Sequence, residues 1–455
     1  MACALKMPKN IIVIGSGAAG MTAASAAKRT DPKAKVIVFT EDEHIAYSPC
    51  VIPWVLEGKA SWEDIVMHDA PFYSKERGID VRTRTKVTAA DGDKRTVTAS
   101  GKTYNYDSLV VATGGSVFVP AIPGVDLKIV FVVRTINDGK SIEAAMPAVK
   151  NVVVAGAGVI GLEMALSMRN SGKNVTVVEM MDQVIPRMGD RDMADVVQKY
   201  LESYGIEFVL GSPIRSVDGN GTVERIVAGD KTYECDMVIL ATGVRANLDI
   251  PKMLGLEIGK LGAVVVTDTM RAYRNGKIAE NIFAAGDVVQ CYSAISKGPT
   301  MSQLGSSAVK QGIAAGKNAA GGNSISGAVA SPWVSVIGDL QIAGTGLSES
   351  LATWYGIRTI SGKAKGYTRA RYYPDGKDMI VKVLANADTG VMIGAQLIAG
   401  EDATGRINWL TDAIINNTKA EDFIARAENA YCPPTSMVRD VVISAADDLC
   451  TNLKK

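Results

Sequence analysis

The segment Ile11-Ile12-Val13-Ile14-Gly15-Ser16-Gly17-Ala18-Ala19-Gly20 decides the fold of the first part of this chain. Its four consecutive apolar residues predict a strand buried on both faces, and its glycines predict a tight turn into the alanine-rich helix Met21 to Arg29. A second apolar run, Val36 to Phe39, predicts the next parallel strand. The three glycines therefore stand in a βαβ unit, the context in which this spacing binds a dinucleotide pyrophosphate at a helix N-terminus.

The same pattern occurs a second time. A strand, Asn151 to Ala155, runs into Gly156-Ala157-Gly158-Val159-Ile160-Gly161, a helix follows through Arg169, and another strand ends at Glu179. One such glycine motif is weak evidence, but two copies that both lie between a strand and a helix are much stronger. The sequence therefore predicts two bound dinucleotides.

Three further buried strands end in glycine turns. Two of them run into Ala112-Thr113-Gly114 and Ala241-Thr242-Gly243, and we expect these to close the two βαβ units. The third ends in Ala285-Gly286-Asp287. An aspartate at the carboxyl end of a strand can bind a sugar hydroxyl, although a helix N-cap is an alternative role for Asp287.

The composition changes after about residue 320, at Gly321-Gly322-Asn323-Ser324. Beyond this junction, strand-like runs such as Met379 to Leu384 and Gly390 to Ala399 surround one long helical pattern, Ala403 to Asn416, which indicates an antiparallel sheet backed by helices. We therefore predict an α/β protein with two Rossmann-like nucleotide-binding domains and a C-terminal α+β domain. The predicted divisions are 1–118 with 246–325, 119–245, and 326–455.

The composition argues against two classes of partner. The 455 residues include 49 Lys and Arg against 48 Asp and Glu, a net charge of +1, so no basic surface indicates nucleic acid or an anionic membrane. No apolar run reaches the roughly 18 residues of a membrane helix, and Met1 to Lys6 show no secretory leader. We predict a cytoplasmic protein.

Scattered cysteines and only two histidines predict neither a disulfide framework nor a metal centre. The cysteines are Cys3, Cys50, Cys235, Cys291, Cys432 and Cys450. Cys50 stands out because it lies in Tyr47-Ser48-Pro49-Cys50-Val51-Ile52-Pro53-Trp54, shortly after the first glycine loop, with no second cysteine nearby. A thiolate there can act as a redox nucleophile. The alternative is an inert, buried thiol.

Together these motifs resemble the flavin-dependent pyridine nucleotide–disulfide oxidoreductases, over nearly the whole chain. Cys50 with Ile52-Pro53-Trp54 is similar to the Cys-Gly-Leu-Pro-Tyr signature of the single-cysteine branch. Ala430-Tyr431-Cys432-Pro433-Pro434 resembles its Tyr-Ala-Pro-Pro motif, and Arg371-Tyr372-Tyr373-Pro374 its Tyr-Tyr-Pro motif. This branch includes coenzyme A disulfide reductases, NADH oxidases and peroxidases, and persulfide or polysulfide reductases.

The resemblance implies FAD in the first domain, NAD(P)H in the second, and a homodimer formed by the third. It implies that Tyr372, Tyr373 and Tyr431 reach the cysteine of the partner subunit, although packed core or interface aromatics are an alternative. Cys432 replaces the usual Ala and would lie near the partner's Cys50, as a dithiol partner or an acceptor of persulfide sulfur. The alternative for Cys432 is a small, buried apolar side chain.

The resemblance also assigns cofactor contacts. Thr40 or Glu41 would bind the FAD ribose, Val87 the adenine, and Arg134 would lie near the flavin. Glu163 would lie near the contact of flavin and nicotinamide, with an exposed helical glutamate as the alternative. The remaining positions are Gly15, Gly17, Ala18, Ala19, Gly20, Ala112, Thr113, Gly114, Gly286 and Asp287 for FAD, and Gly156, Gly158, Val159, Ile160, Gly161, Glu179 and Gly243 for the second nucleotide.

Charge at the second site favours NADH over NADPH. The carboxylate of Glu179 would repel a 2′-phosphate, and the next residues, Met180 and Met181, offer no cation in its place. Ala18 stands where relatives that reduce peroxide or oxygen carry a histidine. For coenzyme A, Arg29 matches a binding arginine of the disulfide reductases, whereas Ala26, Ala46 and Pro49 replace polar residues.

The predicted activity is therefore the NADH-dependent reduction of a low-molecular-weight disulfide, coenzyme A persulfide or polysulfide, with electrons passing through FAD to Cys50. Two alternatives stay open: an NADH oxidase that reduces oxygen, and a flavin-bearing electron-transfer or redox-sensing subunit that acts on a protein partner.

Overall fold

The computed structural model describes residues 8–455, so the sequence-based interpretation of Met1 to Lys6, and Cys3 with it, lies outside the described residues. No helix in this described part is both long enough and apolar enough to cross a membrane.

The first stretch carries one βαβ unit and a three-stranded meander. A 3₁₀ turn at Pro49–Val51 leads directly into its second α-helix. The elements are β1 (Asn10–Ile14), α1 (Ala18–Thr30), β2 (Lys35–Phe39), α2 (Ile52–Leu56), α3 (Ala70–Arg77), β3 (Ile79–Arg82), β4 (Val87–Asp91), β5 (Thr96–Ala99), β6 (Lys102–Asn105), β7 (Ser108–Val111) and β8 (Gly115–Val117).

The second stretch repeats this order of elements. Its bounds are β9 (Val130–Val132), α4 (Ile136–Ala145), a 3₁₀ turn (Met146–Ala148), β10 (Asn151–Ala155), α5 (Val159–Asn170), β11 (Asn174–Val178), α6 (Arg191–Ser203), β12 (Ile206–Val209), β13 (Ile214–Asp218), β14 (Arg225–Ala228), β15 (Lys231–Glu234), β16 (Met237–Leu240) and β17 (Val244–Ala246).

The chain then returns to the first unit and ends in the C-terminal sheet and its helices. The bounds are α7 (Asp249–Met253), β18 (Val264–Val265), β19 (Arg271–Arg274), β20 (Lys277–Ala284), β21 (Val289–Tyr292), β22 (Pro299–Thr300), α8 (Gly305–Ala319), β23 (Trp333–Ile337), β24 (Leu340–Gly346), α9 (Glu349–Trp354), β25 (Thr359–Tyr367), β26 (Asp378–Asn386), β27 (Met392–Ala399), α10 (Ala403–Ile415), α11 (Ala420–Arg426) and α12 (Val441–Leu453).

The two nucleotide units are built alike. Their sheets have the orders β3-β2-β1-β7-β20-β19 and β12-β11-β10-β16-β9. The strand β9 of the second sheet therefore corresponds to β20 of the first. Neighbouring strands are parallel except that β19 runs antiparallel to β20. β7 and β16 are buried along their whole length because helices cover one face of each sheet and the three-stranded meander of the same unit covers the other. The predicted pair of Rossmann-like units is confirmed.

The third unit is an antiparallel sheet with the order β23-β24-β27-β26-β25. One core gathers β26 and β27 with α10 and α12. Ile337, Ile342 and Ile398 belong instead to the core of the second nucleotide unit, where Met193 and Val197 of α6 also lie. The C-terminal sheet therefore packs directly against the second nucleotide unit.

Two glycines let α1 and α8 approach each other closely. A Cβ at Gly316 would lie 2.1 Å from the carbonyl oxygen of Ala23, and a Cβ at Gly312 would lie 2.5 Å from that of Ala19. These contacts fix the position of α1, and hence of the glycine loop that precedes it.

We expect Gly316→Ala to lower the free energy of unfolding by about 1–3 kcal/mol, because the added methyl group has no space between two backbones. Gly305→Ala is the matched control in the same helix, since nothing lies within 4 Å of its added Cβ. Denaturant unfolding of both variants provides the measurement. An equal effect of the two substitutions would contradict the close approach.

Candidate active site

Each glycine loop packs closely against the end of the neighbouring strand of its sheet, which is β7 in the first unit and β16 in the second. Gly15 has a φ of 108°, and a Cβ there would lie 2.1 Å from the carbonyl oxygen of Ala112. Gly156 has a φ of 109°, and a Cβ there would lie 2.4 Å from that of Ala241. Only glycine fits such a conformation and such a contact.

The helix that follows each loop begins at an open space. Gly17 caps α1 and Gly158 caps α5, neither helix has a side-chain cap, and nothing lies within 4 Å of a Cβ added to either glycine. Gly20 and Gly161 close the turns, since a Cβ at either would lie 2.0 Å from the carbonyl oxygen of Gly15 or Gly156. The first-turn N–H groups of α1, at Ala18 and Ala19, and of α5, at Val159 and Ile160, therefore fit a pyrophosphate.

The residue after the second strand of each unit binds its glycine loop. Glu179 is buried, and its carboxylate accepts hydrogen bonds from the N–H of Ala157 and of Met181, both at 2.8 Å. Thr40 occupies the same place in the first unit, where its hydroxyl oxygen accepts from the Ser16 hydroxyl at 3.0 Å and from the Asp42 N–H at 3.2 Å. A neutral side chain thus stands where the second unit has a charged one.

Thr40 and Glu41 are the two residues predicted to bind the FAD ribose, and only the side chain of Thr40 points inward. Glu41 is exposed and pairs with Lys86 at 2.8 Å. Sequence reasoning missed Asp42, whose pKa is raised by burial and then by the nearby Glu41 carboxylate. Its position, three residues beyond the strand and equivalent to Met181 of the second unit, was the available signal.

Three predicted flavin residues come together at the end of the first sheet. The Arg134 guanidinium donates to the Asp287 carboxylate at 2.7 Å, and Nη2 of Arg134 lies 3.9 Å from where a Cβ of Gly114 would be. Gly286 precedes Asp287 and donates its N–H to Gln311 at 2.8 Å. Asp287 forms an ion pair with Arg134, and the helix N-cap is wrong because Asp287 lies in a turn that leads into β21 rather than into a helix.

Gln311 is a further residue that sequence reasoning missed. It is buried in α8, where it accepts from Gly286 and donates to the sulfur of Cys291 at 2.9 Å. Burial raises the pKa of Cys291 to about 11. A long polar residue among the small residues of α8 was the available signal. Gln311 ties the Asp287 turn to α8.

The remaining predicted contacts lie at the edges of the two units. Thr113 donates its hydroxyl to the carbonyl of Asn247 at 3.0 Å, and the Asn247 amide donates to the Thr113 carbonyl at 2.9 Å. Gly243 adopts a φ of 98° after β16. Val87 is buried at the start of the meander β4-β5-β6.

Cys50 is exposed, so burial of this thiol within the single chain is wrong, and its redox activity stays a prediction. It lies in the 3₁₀ turn before α2, and α2 is held along α5. Ser167 of α5 donates to the Pro53 carbonyl at 2.7 Å, and Ser171, one turn later, donates to that of Leu56 at 3.3 Å. The helix that starts at the second glycine loop thus anchors the segment that carries the thiol.

Glu163 lies one turn before Ser167 on the same side of α5. It is half-buried, which rules out the alternative of an exposed helical glutamate. Burial raises its pKa to about 7, against a smaller opposite effect of the hydrogen bond that it accepts from Ser335 at 2.5 Å. Ser335 belongs to β23, so the C-terminal unit reaches this carboxyl group.

The C-terminal tyrosines form an exposed cluster. The hydroxyls of Tyr372, which is 75% exposed, and Tyr431 lie 2.6 Å apart, and Tyr373 is also exposed. The N–H of Ala370 donates to the Pro433 carbonyl at 3.3 Å and joins the two loops. Burial in the core of the chain is therefore wrong for these tyrosines. Cys432 is exposed as well, so the alternative of a buried apolar residue is wrong for a single chain.

These features are those of a known class of enzymes. A model of the pyridine nucleotide-disulphide oxidoreductases matches residues 9–315, and a model of the dimerisation domain of the same family matches residues 332–440. The chain belongs to this family. It is an FAD- and NAD(P)H-dependent oxidoreductase that forms a homodimer, as the sequence predicted.

Three proteins of similar sequence or structure narrow the branch. An NADH oxidase of Methanocaldococcus jannaschii is 43% identical over 97% of this chain and 99% of its own. An NAD(P)H coenzyme A polysulfide/persulfide reductase of Pyrococcus horikoshii is 34% identical over 97% and 98%. The solved structure of an NAD-dependent persulfide reductase from A. fulgidus has a TM-score of 0.93 and 30% identity, and the match covers 98% of this chain and 83% of that one.

Glu163→Gln should alter how stability depends on pH. Because the folded protein raises the pKa of Glu163 from 4.5 to about 7, the protonated carboxyl group contributes fully below about pH 4.5, and this contribution is lost as the pH rises through about 7. The glutamine variant cannot ionise. The wild type should therefore lose stability relative to the variant as the pH rises. With both proteins loaded with FAD, the melting temperature of the variant minus that of the wild type should increase between about pH 5 and about pH 8.

Thermal melts at a series of pH values provide this measurement, with the exposed Glu76→Gln as the control. For Glu76→Gln, we expect the melting temperature of the variant minus that of the wild type to stay constant with pH. The same constant difference for Glu163→Gln would contradict the raised pKa of Glu163.

Glu179→Gln should weaken the preference for NADH. The amide keeps the size of the side chain and one hydrogen-bond acceptor but removes the charge that repels a 2′-phosphate. The ratio of kcat/KM for NADPH to that for NADH should rise about tenfold, the effect of one partly buried charge. Steady-state kinetics with both nucleotides provide the measurement. Glu207→Gln, an exposed carboxylate on β12, should leave the ratio unchanged.

Proposed function

We propose that this protein is an NADH-dependent flavoprotein reductase of low-molecular-weight disulfides, coenzyme A persulfide or polysulfide, with Cys50 as its redox-active thiol. The observation that carries the proposal is the placement of Cys50. The thiol is exposed, and the helix that anchors its segment through Ser167 and Ser171 begins at the second glycine loop. A thiol fixed in this way suits electron transfer from a nucleotide to sulfur.

The reaction balances with one proton. A disulfide, NADH and H⁺ give two thiols and NAD⁺. The Cys50 thiolate attacks one sulfur of the substrate, a mixed disulfide with Cys50 forms, and the other sulfur leaves as a thiolate that takes up a proton. Two electrons from NADH then cleave the mixed disulfide, which releases the second thiol and restores the Cys50 thiolate.

FAD, when bound at the first glycine loop, would accept the hydride of NADH and deliver both electrons to sulfur. The chain's own residues hold the components in place. Gly17 and Gly158 leave space for the two pyrophosphates, and Glu179 holds the second loop. Glu163 can hold a proton at neutral pH because its pKa is about 7. It lies on α5, one turn before Ser167, which binds the Cys50 segment.

The coenzyme A part of the proposal is supported by a patch of cationic and aromatic side chains. The N–H of Met67 donates to Ala46, in the loop that leads to Cys50, and α3 follows at once. There His68 stacks on Phe72 at 3.8 Å, with the Arg77 guanidinium 5.8 Å from the same ring. Such side chains suit a nucleotide bearing several phosphates.

Arg29 adds a further exposed cation beside this patch. It lies in the last turn of α1, next to Lys28. The Cε atom of Lys28 would lie 3.1 Å from a Cβ added to Gly78, which follows α3. The substrate's thiol end would then reach Cys50 while its anionic end lies over α3.

Oxygen reduction is the second candidate, because the relative from Methanocaldococcus jannaschii is named an NADH oxidase. Against it stands Ala18, a methyl side chain where oxygen- and peroxide-reducing relatives carry a histidine that could transfer protons. The cytoplasm stays the predicted location, since free thiols persist in a reducing compartment.

The deciding experiment is anaerobic NADH oxidation by wild type and Cys50→Ser with coenzyme A disulfide, coenzyme A persulfide and polysulfide. We expect Cys50→Ser to lose on the order of 10³-fold or more of the activity on the accepted sulfur compound, because a serine hydroxyl is a far weaker nucleophile. Reduction of its flavin by NADH should persist. Cys450→Ser, remote in sequence and half-buried in α12, is the control.

Two results would contradict the proposal: wild type inactive on all three sulfur compounds, or equal activity in Cys50→Ser. Rapid oxygen consumption retained in Cys50→Ser would favour the oxidase instead.

A further inference from the structure

A buried lysine joins the C-terminal sheet to the second nucleotide unit. Lys382 of β26 is 6% exposed at its side chain, and its ammonium lies 3.0 Å from Asp190, 2.9 Å from Asp192 and 2.9 Å from Glu349. Burial lowers the pKa of Lys382, but its hydrogen bond to Glu349 and the charge of Asp190 outweigh this and raise it. A cation so enclosed stays charged and holds its carboxylates in place.

Asp190 ends the loop 180–190, which begins next to Glu179. This loop crosses back over the second glycine loop, where the N–H of Ile185 donates to the Ala157 carbonyl at 2.7 Å. The N–H of Ala157 donates in turn to Glu179. Ala157 lies between two glycines of the predicted nucleotide site. Its N–H is bonded to Glu179 and its carbonyl to Ile185 of the loop 180–190.

The loop does not hold this shape by itself. Ile185 and Arg187 have φ values of 42° and 65°, a left-handed conformation that costs on the order of 1–3 kcal/mol for each such residue. A β-branched isoleucine is especially disfavoured there. Contacts from outside the loop must offset this cost.

The C-terminal unit supplies these contacts, all at the end of the loop. Gln396 accepts from the N–H of Asp190 at 2.7 Å, and Ser348 donates to the Arg187 carbonyl at 2.8 Å. The N–H of Glu349 donates to the Asp190 carboxylate at 2.8 Å. Asp190 is only 2% exposed at its side chain, and Lys382 is the cation that pairs with it.

We infer that Lys382 is a positioning residue for the pyridine nucleotide: by pairing with Asp190 it holds the loop 180–190 against Ala157, so that Glu179 and the second glycine loop keep their binding geometry. The inference rests on the proposed use of NADH but not on the sulfur substrate. It makes the dimerisation unit a part of the nucleotide site through the loop 180–190.

Lys382→Met tests the inference, because methionine keeps the length and loses the charge. We expect the NADH concentration that half-saturates flavin reduction to rise about tenfold, with the limiting rate within about twofold of wild type, since the loop affects binding rather than the reaction itself. FAD content and the dimer should be unchanged. Anaerobic stopped-flow reduction of the flavin by NADH gives both values without any sulfur compound.

Lys363→Met is the matched control. Lys363 lies on the adjacent strand β25 and pairs with Asp192 at 2.5 Å but is not among the partners of Asp190. It should leave NADH saturation near that of wild type. Lys382→Arg, which keeps the charge, should restore most of the affinity that Lys382→Met loses.

Equal effects of Lys382→Met and Lys363→Met would overturn the inference, as would a lower limiting rate with unchanged half-saturation. If Lys382→Met does not fold, Gln396→Leu carries the same expectation, because it removes the acceptor for the Asp190 N–H. NADH saturation as in wild type in that variant would overturn the inference as well. Activity on sulfur compounds plays no part in these outcomes, so a failure of the proposed function would be seen separately.

Discussion

The close approach of two glycines to the carbonyl oxygens of neighbouring strands is the contact on which the rest of this structure depends. At Gly15 and Gly156 there is no space for a side chain, so each loop turns at once from its strand into its helix. The first-turn N–H groups of each helix then have no side-chain cap among residues 8–455, and nothing lies within 4 Å of a Cβ added to the glycine that precedes them. Every other part of the active site is arranged around these two helix ends.

The second of these helices, α5, connects the parts of the site. Its N-terminus is the predicted site of the pyridine nucleotide, Ser167 and the following Ser171 hold the segment of Cys50, and Glu163 accepts a hydrogen bond from Ser335 of the C-terminal sheet. The first unit contributes Thr40, a neutral acceptor in the place of Glu179. Two copies of one architecture thus differ in charge where their nucleotides differ in chemistry.

Much of this could be predicted from the sequence, because local patterns determine it. Short apolar runs followed by glycines predicted both nucleotide units. The immediate neighbours of Cys50 predicted that this residue is a redox-active thiol. What depends on distant parts of the chain could not be predicted. Thr40 and Glu41 are adjacent, but Thr40 turns inward to Ser16 of the glycine loop whereas Glu41 turns outward to Lys86. The burial of Glu163 depends on β23, and the partners of Lys382 come from the loop 180–190, α6 and α9.

The crowding of α5 has a consequence for how this chain can change over time. The helix carries the predicted nucleotide site at its end and contacts α2 and β23 along its length, and seven of its twelve residues are buried. A substitution that improves one of these surfaces disturbs another, so few single replacements are neutral. The exposed residues of the meanders β4-β5-β6 and β13-β14-β15, such as Thr88 and Lys231, are free of these contacts. Descendants of this chain can diverge there, while α5 is held to a narrow set of sequences.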